Sequence, residues 1–385
     1  MTRSGPGAGG ARRPGPDDDG RPGPLVAGHP LPPRLDEGRD PELVAWRERL
    51  PDLVEELLAR WELEASAPFL PGGSSAWVAP VRDRDGAERV LKVAWAHEES
   101  RDEAAGMLAW QGRGAARLFR WARDGDTAAL LLERVRPGVP LAQQLTWPER
   151  DEVIVQVARR LWVPPARLLG GDAADEATRE ADALGESRFR PLAHMCAWWA
   201  DEALQKGAGE RAGLPRELVE RGLDLFRSLP LQWDGEEVLL ATDLHPGNVL
   251  SGGAVEGDVV GDSAVVDRAL GGSALDDRAA TGGAVRGGAV DGGGGGAGSR
   301  FGRRWLLIDP KPYVGDPHYD LLQHMLNDMD RLRSDPARFA DRMADLAGLD
   351  RERTRQWLLA RCVQEADEPG GLAEVALRLA ADAGW

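Results

Sequence analysis

The sequence predicts an α+β fold in which a small antiparallel sheet comes first and a larger helical region follows. Strand-like runs separated by turns fill much of the region from 69 to 136, whereas apolar residues at helical spacing dominate the chain beyond it. A short polar loop between two apolar runs interrupts the helical region at 241–248. With 385 residues, the chain has room for two domains or one large two-lobed domain.

The composition is acidic, with a net charge of −16. Such a charge argues against nucleic acid or an anionic membrane surface as a partner and suits a small cationic molecule. No apolar run approaches the roughly 18 residues of a membrane span, and the N-terminus has no apolar signal region. The two cysteines match no disulfide framework or metal motif, which indicates buried thiols in a cytoplasmic protein. The oligomeric state is left open.

Composition divides the chain into segments. Residues 1–40 are rich in Gly, Pro, Arg and Asp and predict a disordered tail. Residues 41–136 predict an N-terminal nucleotide-binding lobe, which begins with a helical pattern in which Pro51 either interrupts the helix or starts a second one. Residues 137–385 predict a helical C-terminal lobe, in which 251–299 form a Gly-rich, low-complexity surface insertion.

The expected elements follow from apolar periodicity and turn residues. The predicted strands are 76–81, 89–94, 116–121, 128–132 and two short strands around the polar loop, and a further strand covers 305–308. The predicted helices are 97–111, 147–161, 180–184, 191–204, 215–228, 318–332, 336–346, 351–366 and 372–381.

The polar loop reads Ala-Thr-Asp-Leu-His-Pro-Gly-Asn. Asp243 and Asn248 have the D-x-x-x-x-N spacing of a kinase catalytic loop, in which the Asp orients and deprotonates the attacking hydroxyl and the Asn binds a metal ion. The alternative is a plain turn built from the same residue types. Downstream, Asp309 ends an apolar strand. A carboxylate there would complete a Mg²⁺ site, although Asp before Pro310 is also a frequent turn opening.

Lys92 and Glu103 form a second candidate pair. Lys92 lies in the middle of an apolar strand, in a chain that has only three lysines, and its ammonium would reach the phosphates of a nucleotide. Glu103 lies on the helix that follows and would fix the direction of the lysine, with Glu98, Glu99 and Asp102 as rivals.

Other candidate nucleotide contacts lie at the ends of strands. The turn that contains Gly73 and Ser74 either brings backbone N–H groups to phosphate oxygens or simply enters the next strand. Glu133 to Val135 follow an apolar strand, at a point where backbone groups would meet adenine. Asp320 either caps the next helix or bonds back to the polar loop, and the sequence does not decide between these roles.

The order of these parts resembles the aminoglycoside phosphotransferases. The stretches Leu-His-Pro-Gly-Asn-Val-Leu at 244–250 and Ile-Asp-Pro-Lys-Pro at 308–312 are most similar to the streptomycin 6-kinase and hydroxyurea phosphotransferase group. The resemblance covers 41–381 apart from the insertion. It implies a protein-kinase-like, two-lobed fold and a kinase that uses ATP and Mg²⁺ to phosphorylate a hydroxyl of an aminoglycoside-like acceptor, which inactivates the drug.

The resemblance also implies the role of each residue. Asp243 would be the catalytic base, Asn248 and Asp309 the Mg²⁺ ligands, and Lys92 with Glu103 the pair that holds the phosphates.

One departure from the family pattern supports a second hypothesis. The family usually has His-Gly before the catalytic Asp, whereas this chain has Ala241 and Thr242. Together with the insertion, this departure keeps a nucleotide-binding pseudokinase with a regulatory role as the alternative. Residues that select the acceptor are expected on the C-terminal helices, where the acidic candidates are Asp328, Glu365 and Asp367.

Overall fold

The computed structural model describes residues 24–96, 101–164, 189–253, 265–267, 304–368 and 370–384. Its strands are β1 (Leu25–Val26), β2 (His29–Pro30), β3 (Leu63–Ala65), β4 (Ala76–Asp83), β5 (Glu88–Trp95), β6 (Leu118–Asp124), β7 (Thr127–Glu133), β8 (Pro137–Pro140), β9 (Val238–Leu240), β10 (Val249–Gly252), β11 (Val265–Asp267), β12 (Arg304–Leu307) and β13 (Tyr313–Gly315). Its α-helices are α1 (Pro33–Glu37), α2 (Pro41–Arg60), α3 (Glu103–Trp110), α4 (Trp147–Leu161), α5 (Leu192–Gln205), α6 (Arg216–Ser228), α7 (Leu322–Leu326), α8 (Met329–Ser334), α9 (Pro336–Ala347), α10 (Arg351–Gln364) and α11 (Leu372–Asp382). Short 3₁₀ helices cover Leu141–Gln143, Pro230–Gln232 and Pro317–Leu321.

The chain divides into two compact units. The first comprises the described residues up to Trp95 together with Ala122–Leu131, and the second comprises Ala96–Trp121 and the described residues from Leu132 onward. The largest sheet has the strand order β11-β6-β7-β5-β4-β3, and β3, β4 and β5 pair antiparallel. This sheet and the many helices confirm the predicted α+β class.

In the first unit, α2 is one continuous helix that runs through Pro51, so the predicted interruption is wrong. The carboxylate of Asp40 caps the helix by accepting the N–H of Glu42 (2.8 Å). The helix buries an apolar stripe, and Trp46 Nε1 within that stripe donates to Thr127 Oγ1 at 3.0 Å. Burial of this stripe stabilises the helix in spite of the missing proline N–H.

The predicted disordered tail is wrong for residues 25–37, which form β1, β2 and α1. Although this segment has few apolar residues, Val26 and Leu35 are both fully buried. Arg47 Nη1 donates to the carbonyl oxygens of Leu35 and Asp36, both at 2.8 Å, and ties α1 to α2. The rest of the predicted tail, 1–23, lies outside the described residues.

Helix α3 is shorter than the predicted helix and belongs to the second unit, not to the predicted N-terminal lobe of residues 41–136. Trp110 Nε1 donates to Leu161 O at 2.8 Å, and Arg190 Nε donates to the carboxylate of Asp102 at 2.7 Å. Gly106 packs against Pro312 without room for a Cβ. The partners in these contacts lie far along the chain, in the second unit, and α3 is therefore part of that unit. Residues 97–100 lie outside the described residues.

Two small antiparallel sheets in the second unit position the polar loop. Strands β12, β10 and β8 form one sheet, and β13 pairs with β9 in the other. The loop leaves β9 and enters β10, and β10 pairs with β12 so that Val249 lies opposite Leu307. The residues that follow β12 therefore lie beside the end of the loop. The helical prediction directly after residue 137 is wrong, because β8 pairs there with β10.

Most C-terminal helices confirm the predictions, and α4 has the predicted bounds. The predicted helix 318–332 is instead a 3₁₀ helix followed by α7 and α8. The predicted helix is interrupted before α8. The carboxylate of Asp328 caps the start of α8 by accepting the N–H of Arg331 (3.3 Å). The predicted helix 180–184 and almost all of the insertion lie outside the described residues. Within the described ranges, no helix is long and apolar enough to span a membrane.

Candidate active site

The polar loop begins with a residue in an unusual conformation. Strand β9 is buried along its whole length, and Thr242, two residues after it, has φ +51° in the left-handed region. This conformation turns the chain sharply, so that Asp243 N donates to Ala241 O at 2.7 Å. The turn brings Asp243 out of the buried strand to a position where its side chain is 20% exposed.

Three side-chain nitrogens face the carboxylate of Asp243. Asn248 Nδ2 donates to Oδ2 at 3.3 Å, His245 Nε2 lies 3.7 Å from Oδ1, and Lys311 Nζ lies 3.9 Å from Oδ2. Asn248 Nδ2 also donates to the backbone oxygen of Asp243 at 3.3 Å. The carboxylate therefore accepts a hydrogen bond from Asn248, has two further nitrogens within 4 Å and remains open to a molecule from solvent.

The ring of His245 is oriented by a hydrogen bond to its Nδ1 atom. Gly247 N donates to His245 Nδ1 at 3.1 Å, which leaves the ring hydrogen on Nε2, facing Asp243. Burial lowers the pKa of His245, and the opposing effects of Asp243 and Asp309 do not reverse this change. The imidazole therefore carries no charge at neutral pH.

Asn248 and Asp309 lie next to each other. Ile308 N donates to Asn248 O at 2.8 Å, and Asp309 follows with φ +55° and an exposed side chain. The amide nitrogen of Asn248 donates to Asp243, so Oδ1 is the atom of this side chain that could accept a metal ion. A carboxylate and an amide oxygen are hard ligands that suit Mg²⁺. The backbone of Asp309 therefore lies beside the end of the loop that carries Asp243 and Asn248, and the predicted roles of the three residues stay predictions.

Asp320 fixes the start of the loop. Its fully buried carboxylate accepts the N–H groups of Ala241 (3.0 Å) and Thr242 (2.7 Å) and the Nε1–H of Trp162 (3.0 Å). Of the two predicted roles, Asp320 bonds back to the loop, and Asp316 caps the 3₁₀ helix. The backbone at Ala241 and Thr242 is therefore held in place although the His-Gly of the family pattern is absent.

Comparisons with known proteins identify the family of the chain. A family model described as aminoglycoside/hydroxyurea antibiotic resistance kinase matches residues 60–266 and 244–368. The chain belongs to this family. It is 33% identical over 320 residues to the hydroxyurea phosphotransferase of Kitasatospora aureofaciens, which covers 82% of this chain and 72% of that protein. It is 30% identical over 334 residues to the streptomycin 6-kinase of Streptomyces glaucescens, with 84% and 83% covered.

Family membership confirms that the chain is a phosphotransferase with an alcohol group as acceptor, as the sequence predicts. It also confirms the predicted protein-kinase-like fold class. Among solved structures, a thermostable mutant of aminoglycoside phosphotransferase APH(4)-Ia in ternary complex with ADP and hygromycin B aligns with a TM-score of 0.41 and 14% identity. The alignment covers 86% of this chain and 98% of that one.

The other predicted nucleotide-binding residues of this kinase differ in how deeply they are buried. Lys92 is buried on β5, opposite Val78, and Glu103 is buried at the start of α3. Lys92 belongs to the first unit and Glu103 to the second, and their pairing stays a prediction. Gly73 and Ser74 are exposed in the turn before β4, where their contact with phosphates also stays a prediction.

The N–H and the carboxylate of Glu133 are engaged within the protein, and its contact with adenine stays a prediction. Its N–H donates to Arg117 O at 2.7 Å, and its carboxylate accepts from Arg117 N (3.1 Å) and from Arg304 Nη1 (2.9 Å). The N–H of this residue is thus engaged within the protein, because Glu133 is still part of β7. Val135 is buried just beyond the strand and remains a candidate.

The three acidic residues predicted to select the acceptor have contacts within the protein, and their role in acceptor selection stays a prediction. Asp328 is buried and caps α8, Glu365 pairs with Arg361 at 2.7 Å, and the carboxylate of Asp367 accepts two backbone N–H groups at 2.8 Å. Lys311 and Asp320, by contrast, contact the loop directly. Sequence reasoning gave neither residue a firm role, and the scarcity of lysine was the available signal for Lys311.

Asp320→Asn is expected to lower kcat about 100-fold, because an amide faces three N–H donors with only one oxygen and the loop shifts. Burial raises the pKa of Asp320 to about 6. The proton thus binds the folded state more tightly than the unfolded state, so this group stabilises the fold most at low pH and loses that contribution as pH rises through about 6. Activity has the opposite dependence, since the ionised carboxylate accepts the loop N–H groups best.

The pH profiles of kcat and of thermal unfolding, recorded for wild type and Asp320→Asn, check this expectation. In the variant, we expect neither kcat nor the unfolding temperature to show the pH-dependent change near 6 that wild type shows. Unchanged kcat together with an unchanged profile would show that Asp320 does not hold the loop in its active form.

Proposed function

We propose that this kinase transfers the γ-phosphoryl group of ATP, with Mg²⁺, to a hydroxyl of a streptomycin- or hydroxyurea-type acceptor in the cytoplasm and so inactivates the drug. The names of its relatives support the acceptor class. The observation that supports the chemistry best is the arrangement of Asp243, Asn248 and Asp309 around one loop. The net charge of −16 agrees with a cationic acceptor.

In the proposed reaction, Asp243 accepts the proton of the acceptor hydroxyl while the hydroxyl oxygen forms a bond to the γ-phosphorus. The bond between the γ-phosphorus and the bridging oxygen breaks, and ADP leaves. Asn248 and His245 keep the carboxylate directed at the hydroxyl through the nitrogens that face it. Positioning and charge neutralisation supply most of the rate, because phosphoryl transfer needs little covalent help from the protein.

The residues present fit a Mg²⁺ ion. Asn248 Oδ1 and the carboxylate of Asp309 would hold it, and when bound it neutralises negative charge on the phosphates. Lys92 with Glu103 would hold the α- and β-phosphates. Gly73 and Ser74 would offer backbone N–H groups to phosphate oxygens, and the backbone near Val135 would face adenine.

A panel assay tests the function. The purified protein is incubated with ATP or GTP, Mg²⁺ and one acceptor at a time, namely streptomycin, other aminoglycosides and hydroxyurea. Mass spectrometry then detects the phosphorylated acceptor. We expect product from at least one acceptor, together with ADP formation that depends on that acceptor. Tight binding of nucleotide without product from any acceptor would contradict the proposal and favour a regulatory pseudokinase.

A further inference from the structure

We propose that Lys311 is a further catalytic residue, whose ammonium contacts the transferred γ-phosphoryl group, and that the hydroxyl of Thr242 positions it. This inference rests on the proposed use of ATP, and it gives a role to a residue that departs from the family pattern.

Lys311 lies where a transferring phosphoryl group must pass. Its Nζ is 3.9 Å from Asp243 Oδ2, which is too long for a hydrogen bond, so the lysine does not occupy the oxygen that receives the hydroxyl proton. An attacking hydroxyl within about 3 Å of that oxygen would bring the γ-phosphoryl oxygens close to the ammonium. The side chain is 35% exposed, which leaves it accessible to a ligand.

The negative charges around the loop favour a cation at this place in addition to the proposed Mg²⁺ ion. Asp243 and Asp309 are both acidic, and the phosphates of a nucleotide add further negative charge. Among the side chains whose nitrogens face Asp243 in the described part of the chain, Asn248 is an uncharged amide and Lys311 carries an ammonium. Positive charge placed where phosphoryl oxygens carry developing charge stabilises the transition state.

The residue type supports the same role. The chain has 48 Lys and Arg residues together, and three of them are lysines. A lysine kept beside the catalytic Asp in such a chain indicates a site that needs a compact point charge with rotatable donors. The wider planar fork of arginine would pair with Asp243 in a bidentate manner and compete with the acceptor hydroxyl.

Thr242 links the main chain of Lys311 to the catalytic loop. Thr242 Oγ1 donates to Lys311 O at 2.6 Å, and Lys311 N donates to Ala241 O at 2.9 Å. The backbone of Lys311 is thus bonded to both residues that precede Asp243. A φ of +51° is rare for a β-branched residue and would suit glycine. The threonine therefore contributes something that glycine lacks, and its hydroxyl provides the bond to Lys311.

Lys311→Met in the full-length kinase tests the catalytic part. We expect kcat to fall about 100-fold, as for loss of one transition-state donor. Affinity for ATP should fall about 10-fold, whereas affinity for ADP, which has no γ-phosphoryl group, should stay unchanged. Lys311→Arg should restore only part of kcat. Lys206→Met is the matched control, because Lys206 directly follows α5 and forms an exposed pair with Glu202, and it should change neither quantity.

A merely structural role for Lys311 would weaken ATP and ADP equally and lower the unfolding temperature. Equal weakening, or full kcat in Lys311→Met, would overturn the proposal. The comparison of ATP with ADP needs only binding, so it also separates this inference from the proposed function. If Lys311→Met lost affinity for ATP but not for ADP, and no acceptor gave product, Lys311 would still be a contact of the γ-phosphoryl group. A wild-type protein that binds no nucleotide would overturn both this inference and the proposed function.

Thr242 variants test the positioning part. Thr242→Ser keeps the hydroxyl and should retain the wild-type difference between ATP and ADP affinity. Thr242→Gly relieves the left-handed strain but removes the hydroxyl, so it should unfold at a higher temperature and yet have a kcat about 10-fold lower. If Thr242→Gly and Thr242→Ser had the same kcat, the hydrogen bond from Thr242 to Lys311 O would not be needed for catalysis.

Discussion

Asp243→Asn is expected to lower the kcat of phosphoryl transfer about 10³-fold, the scale on which a positioned general base acts. The asparagine side chain has nearly the same shape but cannot accept the proton of the acceptor hydroxyl. Its amide nitrogen would also face Asn248 Nδ2, which donates to the carboxylate in the wild type. The affinity for ATP should change little, because the nucleotide contacts that we propose lie on other residues.

Steady-state kinetics and equilibrium binding of ATP, measured on the same preparations, check this result. Asp224→Asn is a suitable control, because Asp224 is an exposed residue of α6 that takes part in no catalytic contact, and its kcat should equal that of wild type. An Asp243→Asn variant that keeps more than about a tenth of wild-type kcat would mean that another group accepts the proton.

Asp151→Ala is expected to lower the free energy of unfolding by about 3–5 kcal/mol, the cost of leaving a buried ion pair without one partner. Asp151 is fully buried on α4. Its carboxylate accepts from His324 Nε2 (2.7 Å), from both Nη atoms of Arg331 (3.0 and 2.8 Å) and from Arg342 Nε (2.7 Å). One side chain therefore links α4 to α7, α8 and α9, and its loss leaves their charged and polar groups without a partner for these bonds.

The effect of Asp151→Ala should depend on pH. Burial alone would raise the pKa of Asp151, but the hydrogen bonds from His324, Arg331 and Arg342 outweigh it and lower the pKa to about 2. The folded state thus binds this proton more weakly than the unfolded state. The stability from Asp151 is present above the unfolded value of 3.8 and is lost as pH falls through about 2.

Denaturant unfolding of wild type, Asp151→Ala and the control Glu202→Ala measures these differences. Glu202 forms an exposed pair with Lys206, so its removal should cost less than about 1 kcal/mol. If Asp151→Ala lost no more stability than Glu202→Ala, the buried network would not hold the helices of the second unit together.

Local signals explain what the sequence could predict. The bounds of α4 were predictable because Thr146 and Glu149 form a capping box in front of apolar residues at helical spacing. The placement of Asp243 and Asn248 in one loop, with Asp309 after a neighbouring strand, was predictable for a similar reason, whereas their roles stay predictions. The first two are five residues apart in one loop, and Asp309 follows an apolar run that is recognisable as a strand.

Contacts between distant parts of the chain explain what the sequence could not predict. Asp320 bonds to Ala241 from 79 residues away, and Thr242 bonds to Lys311 across 69 residues. The periodicity of apolar residues in the sequence does not predict hydrogen bonds between such distant residues. The same holds for α3, which belongs to the second unit through contacts such as the bond from Trp110 to Leu161.

A single-turnover experiment, with the kinase in excess over γ-labelled ATP, tests most directly whether the Asp243 loop transfers a phosphoryl group. With Mg²⁺ and streptomycin or hydroxyurea, we expect the label to move from ATP to the acceptor in wild type and to remain on ATP about 10³ times longer in Asp243→Asn. Label that stays on bound ATP with every acceptor, or that moves equally fast in the variant, would contradict the role of this loop.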